Sequence, residues 1–143
     1  MGERGGESIR WLRHDADLLL EARAATEERL FALAAEAVVA AMTDRPPTEG
    51  GERRSVRLEA EDPEGLFVAW LNEIVYLVTA GDFLPARFPS LTVEEGSLSA
   101  EIEGGAPGPN GPSIVREVKA ATYHRLRLSK GKEGWTARVL LDV

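Results

Sequence analysis

The chain has 143 residues, 43% of them hydrophobic and 29% charged, which suits one soluble globular domain spanning 1–143. Its formal net charge of -7 disfavours a nucleic-acid clamp, which needs a basic face, so no direct stable nucleic-acid binding is expected. Cysteine is absent, which excludes disulfides and thiolate metal sites and fits a cytoplasmic location; the two histidines, His14 and His124, are too few for a histidine-rich zinc site.

Residues 1–8 are polar and glycine-rich and are expected to form a flexible N-terminus. No apolar run follows them, so they do not read as a signal peptide, and no later run is long enough to span a bilayer. A short strand is predicted over 9–12, interrupted at 14–17, and resumed over 18–22 with Leu18, Leu20 and Ala22 on one side. Thr26 is a good N-cap, with Glu27 and Glu28 where the positive end of a helix dipole favours acids. The stripe Leu30, Phe31, Ala34, Ala37, Val38, Ala41 and Met42 has helical spacing, and Asp44-Arg45-Pro46-Pro47 ends that helix.

Val56, Leu58 and Ala60 alternate with charged residues and predict another strand. Asp62-Pro63-Glu64 is a strong helix start. The following segment, 66–78, is apolar nearly all round, so it should be buried on more than one side, and Gly81 should end it. Only Asn72-Glu73 breaks the apolar run, as a satisfied internal pair or as a patch that touches a partner. Strands are expected over 83–93 and at Leu98, Ala100 and Ile102. Residues 104–112 form a Gly- and Pro-rich loop without core residues, a surface connector or a lid. The end of the chain reads as a closing β-hairpin, with Leu126 and Leu128 on one arm and Trp135, Ala137, Val139, Leu141 and Val143 on the other. Trp70, Trp135, Phe31 and Phe67 are assigned to the core, and Tyr123 is expected to pack. The order of elements predicts an α+β fold with two helices on a mostly antiparallel or mixed sheet.

Asp142 sits beside the terminal carboxylate of Val143 on a strand. Two negative groups there repel and ask for a cation or a basic neighbour. Asp17 begins one predicted strand and Asp142 ends another, so neighbouring antiparallel strands would bring these carboxylates together. Oxygen-only ligands select a hard cation over zinc. Read alone, Asp17 is equally a turn or capping aspartate, Asp142 a solvated chain end, and Lys119 a solvated lysine.

Five segments resemble the archease family in order. They are His14-x-Ala16-Asp17, Ala41-Met42-Thr43-Asp44, Trp70-Leu71-Asn72-Glu73, the run from Val118 through Lys119 and Tyr123 to His124, and the end from Gly134-Trp135 to Leu141-Asp142-Val143. Three positions depart from the family pattern. Arg13 stands where an acid is usual, Asp15 where threonine is usual, and Arg125 where a glycine commonly follows the Tyr-His pair. The resemblance implies an accessory protein rather than an enzyme. Such a protein promotes guanylylation and multiple turnover of the GTP-dependent RNA ligase of tRNA splicing and RNA repair. It also implies a metal site, with Ca²⁺ expected and Mg²⁺ or Mn²⁺ as alternatives, at Asp17, Asp142 and Val143. Lys119, His14 and His124 are the expected functional neighbours. Two other readings remain: a small metal-dependent hydrolase using Asp17 and Asp142, for which no nucleophile motif is found, and a chaperone-like binding module without a metal role.

Overall fold

The computed structural model describes residues 6–14, 17–47 and 50–143, with the side chains at 13 and 14 outside that description. Seven strands and two helices follow one another as β1 (Ser8–His14), β2 (Asp17–Ala24), α1 (Glu27–Met42), β3 (Glu52–Glu59), α2 (Pro63–Thr79), β4 (Leu84–Glu94), β5 (Ser97–Gly105), β6 (Ala120–Gly131) and β7 (Gly134–Asp142). The strands form two antiparallel sheets rather than one. The first has four strands in the order β1-β2-β7-β6, and the second has three in the order β3-β5-β4. Both helices pack against both sheets, α1 on β2, β7 and β4, and α2 on β6, β4 and β3. The all-round apolar surface of α2 is thereby covered by α1 and by strands of both sheets.

Local chemistry explains the helix ends. The Thr26 hydroxyl accepts from the N–H of Arg29 at 3.2 Å, and the Asp62 carboxylate accepts from the N–H of Gly65 at 2.7 Å. Each satisfies a donor that the first helical turn leaves without a partner. Pro63 follows its cap in the first turn, where its missing N–H costs nothing. α2 ends at Thr79, just before Gly81, and the chain leaves through Asp82 at a φ of 52°. After α1, the Ala41-Met42-Thr43-Asp44 segment stitches in a distant loop. The Met42 carbonyl accepts from Val115 N–H at 2.8 Å, and the Asp44 carboxylate accepts from Ser113 N–H at 2.9 Å.

The core is continuous between helices and inner sheet faces. Trp70 and Phe67 pack beside Phe31, and the Trp70 indole donates to the Phe31 carbonyl at 2.9 Å. Trp135 is half-buried against this core, with the Lys130 ammonium over its ring at 5.8 Å. Of residues 1–8, the first five lie outside the described residues. Glu7 is held by the Arg29 guanidinium at 2.8 Å, a bond that raises the arginine pKa above its ordinary value, and Ser8 opens β1. In the Gly- and Pro-rich loop, β5 runs on to Gly105, and Pro112 is buried rather than exposed.

The closing hairpin turns at Lys132-Glu133, and Gly134 takes a φ of 122° beside the Ala24 carbonyl, where a Cβ would stand only 2.5 Å away. Its first arm is not regular. Thr122 faces Leu140, but Arg127 faces Arg138, so five residue steps on β6 match two on β7. This bulge holds Tyr123, His124 and Arg125, all exposed. Tyr123 therefore does not pack as expected: it is 64% exposed, because the bulge turns it out of the sheet. Its hydroxyl lies near Gly65, where a Cβ would stand 3.3 Å from that oxygen.

Candidate functional site

The four-stranded sheet turns Leu20, Ala22, Ala24, Ala137, Val139 and Leu141 toward the helices. Residues of the opposite parity form its outer face, and the register arranges them in rows. The end row runs His14, Asp17, Asp142, Ala120. The next runs Leu12, Leu19, Leu140, Thr122, with Leu19 and Leu140 buried. The third runs Arg10, Glu21, Arg138, Arg127, and the fourth Ser8, Arg23, Thr136, Ser129.

Asp17 and Asp142 are direct register partners at one end of β2 and β7. These are the two central strands, so the pair lies at the sheet's end and not along an edge strand. Partners across an antiparallel ladder have Cβ atoms about 4.5–5.5 Å apart, and like charges so placed destabilise the pair. Asp17 is half-buried, Asp142 exposed and Val143, the next residue, half-buried. Lys119 flanks them: its N–H donates to the Asp142 carbonyl at 2.7 Å, and its side chain is exposed. His14 stands opposite Asp17 in the backbone register, and its side chain lies outside the described residues. The structure therefore gathers Asp17, Asp142, Val143, Lys119 and the His14 backbone. It does not bring in His124, which projects from the bulge beyond Thr122.

The residue that holds this arrangement is one of the two that break the apolar run of α2, for which the sequence left an internal pair and a partner patch open. Asn72, in the middle of α2, accepts from the Ala121 N–H at 2.8 Å and donates to the Ala121 carbonyl at 3.3 Å. These two hydrogen bonds to the main chain of one residue fix the start of β6, and with it Lys119 and Ala120 beside Asp142. Asn72 is thus a satisfied internal group, and the signal for it was its place as a lone amide in an apolar helix.

Among the described residues, no three His, Asp or Glu side chains gather closely enough to hold a metal ion. Asp17 and Asp142 supply two carboxylates, and the third oxygen donor expected is a main-chain terminal carboxylate, a group of another kind. The donor set is all oxygen, which fits a hard divalent cation, and the opposed carboxylates are the feature that such a cation would relieve. No described helix is long and apolar enough to cross a membrane.

Residues 10–143 match the model of the archease protein family (MTH1598/TM1083). An archease of Methanosarcina mazei is 33% identical over 142 residues, covering 96% of this chain and 97% of its own length. One of Methanosarcina barkeri is 31% identical over the same shares. The solution structure of Methanobacterium thermoautotrophicum protein 1598 superposes with a TM-score of 0.74 at 27% identity, covering 94% of this chain and 98% of that one. The crystal structure of a Thermotoga maritima archease, described as a possible chaperone, shares the fold with a TM-score of 0.65 at 20% identity. With two helices on antiparallel sheets and a match over nearly its whole length, the chain belongs to the archease family.

Proposed function

We propose that this chain is a non-enzymatic accessory protein that promotes guanylylation and multiple turnover of a GTP-dependent RNA ligase. The observation that carries the reading is the register pairing of Asp17 with Asp142 beside Lys119. Two like charges set opposite each other at the end of a sheet add nothing to the fold. They make sense as a place where a partner or a cation supplies the countercharge.

In this reading Asp17, Asp142 and the Val143 carboxylate hold a hard divalent cation, with Ca²⁺ the first choice and Mg²⁺ or Mn²⁺ the alternatives. Bound there, the cation supplies positive charge at a surface that otherwise repels phosphate. Lys119 adds a compact charge able to meet a carboxylate or phosphate of the ligase. Asn72 positions both through Ala121. His14 stands opposite Asp17 in the backbone register, whereas His124 on its bulge is a contact for the partner. The work takes place in the cytoplasm.

The test is multiple-turnover ligation by the cognate ligase, with circular dichroism to verify folding. The chain alone should join no RNA. Wild-type chain should raise turnover, and Asp17→Ala, Asp142→Ala and Lys119→Ala should each remove that stimulation while remaining folded. Full stimulation by folded Asp17→Ala would move the working surface elsewhere. The Thermotoga relative's description favours a second reading, chaperone-like binding without a metal. Calorimetric titration with Ca²⁺ separates the two, since only the first gives a heat that Asp17→Ala abolishes.

A further inference from the structure

The third and fourth outer-face rows gather Arg10, Arg23, Arg127 and Arg138 around a single acid, Glu21. Together they line a shallow cleft of about 430 Å³. Glu21 is committed: it pairs with Arg138 and with Arg10 at 3.2 Å. Arg23 and Arg127 are exposed, and among the described residues neither has an ion-pair partner. A patch of net charge opposite to the chain's -7 thus sits on one sheet face. It lies four residues, about 13 Å, from the Asp17/Asp142 row.

We propose that this face binds the phosphate backbone of a single-stranded polynucleotide, independently of nucleotide sequence. Three features select that ligand. All four cations are arginines, whose planar fork matches phosphate oxygens and stays charged at any physiological pH. Ser8, Ser129 and Thr136 lie between them in the fourth row, where hydroxyls donate to phosphate without adding charge. The two rows contain no aromatic or aliphatic side chain, so they lack both a stacking platform for bases and the apolar anchor of a protein hot spot. What remains is contact with the backbone alone. The chain-wide acidity does not oppose this, because surface charges more than about 10 Å apart are largely screened at ordinary salt. The acid row at the far end of the same face would repel the strand, which confines it to the arginine end. The proposal stands on charge geometry and does not depend on the ligase or metal reading.

The test is fluorescence anisotropy with a labelled single-stranded RNA of mixed sequence and the full chain, over a range of salt. Wild type should bind at low salt, with log K falling by about 2–3 per decade of salt, at roughly 0.7 for each phosphate contacted. DNA of the same sequence should bind equally, since no 2′-hydroxyl is read. The double variant Arg23→Gln/Arg127→Gln spares the Glu21 pairs and should fold as wild type. It should weaken binding about tenfold and lower the salt slope by about 1.4, two contacts' worth. Arg57→Gln, on the other sheet, should change nothing. Wild-type affinity in the double variant overturns the proposal, as does absence of binding at low salt. Displacement of RNA by polyglutamate of matched charge would overturn it too, because the face would then serve an acidic protein.

Discussion

The two sheets are built by the same rules but treat charge differently. On the outer face of the three-stranded sheet, Glu103 stands between Arg53 and Arg87 and pairs with both, and the Glu101 carboxylate accepts from the Ser55 hydroxyl at 2.7 Å. The two central acids of that sheet, Glu101 and Glu103, are each answered by a neighbour. On the outer face of the four-stranded sheet, two aspartates oppose each other at one end, and further along four arginines surround one glutamate that pairs with two of them. Like charges in register cost stability. A sheet that answers its charges is finished as a structure, while one that leaves them unanswered is waiting for something to bind.

The comparison can be broken at its supports. Asn72→Ala should have the largest effect, because it strips the side-chain partner from both the N–H and the carbonyl of Ala121. The expected loss is about 2 kcal/mol, read by urea unfolding, and amide exchange should quicken around Ala120–Thr122 while β3 and β5 stay protected. Next, Glu21→Ala should cost about 1–2 kcal/mol, since it leaves Arg10 and Arg138 facing each other across a vacant position. Glu103→Ala, on the more exposed sheet face, should cost less than about 1 kcal/mol in the same assay. Equal costs would erase the distinction between the sheets.

Arg125→Gly sharpens the comparison from the other direction. Arg125 holds a φ of 61°, a region that costs a non-glycine residue about 1–2 kcal/mol. Glycine removes that strain but gives back some chain entropy, so the net gain should be near 0.5 kcal/mol, seen as a raised melting temperature. The smallest effect concerns Glu27 in the first turn of α1. Burial, and then the nearby Glu28, push its pKa above the ordinary 4.5. The folded state thus holds this proton more tightly than the unfolded one. Its stabilising contribution is fully present below pH 4.5 and is lost as pH rises through the raised value. Glu27→Gln should flatten the melting temperature's dependence on pH across that window.

The parts legible in the sequence were those with local causes. Thr26, Asp62 and Pro63 announce both helices within a few residues, and alternation in 135–143 announces the last strand. The division into two sheets was not legible, because alternation tells which side of a strand is buried and says nothing of which strand lies beside it. Tyr123 was misread for a related reason: the excess residues of the bulge break the period that would have buried it. The role of Asn72 depends on a peptide 49 residues away. The arginine rows assemble only once four strands are in register, so nothing local sets Arg10, Arg23, Arg127 and Arg138 apart in the sequence. Arg125, by contrast, was marked by resemblance alone as standing where glycine is common, and its left-handed backbone gives the physical reason.

The central claim is that the opposed carboxylates of Asp17 and Asp142 are an unsatisfied pair that a divalent cation relieves. Thermal melting of wild type and Asp142→Asn, with and without millimolar Ca²⁺, tests it most directly. Without the cation, Asp142→Asn should melt above wild type, because removing one charge of a like pair recovers about 0.2–1 kcal/mol. With Ca²⁺, wild type should rise and Asp142→Asn should not, since binding to the folded state alone raises stability. A wild-type curve unmoved by the cation, or an equal rise in both proteins, would contradict the claim.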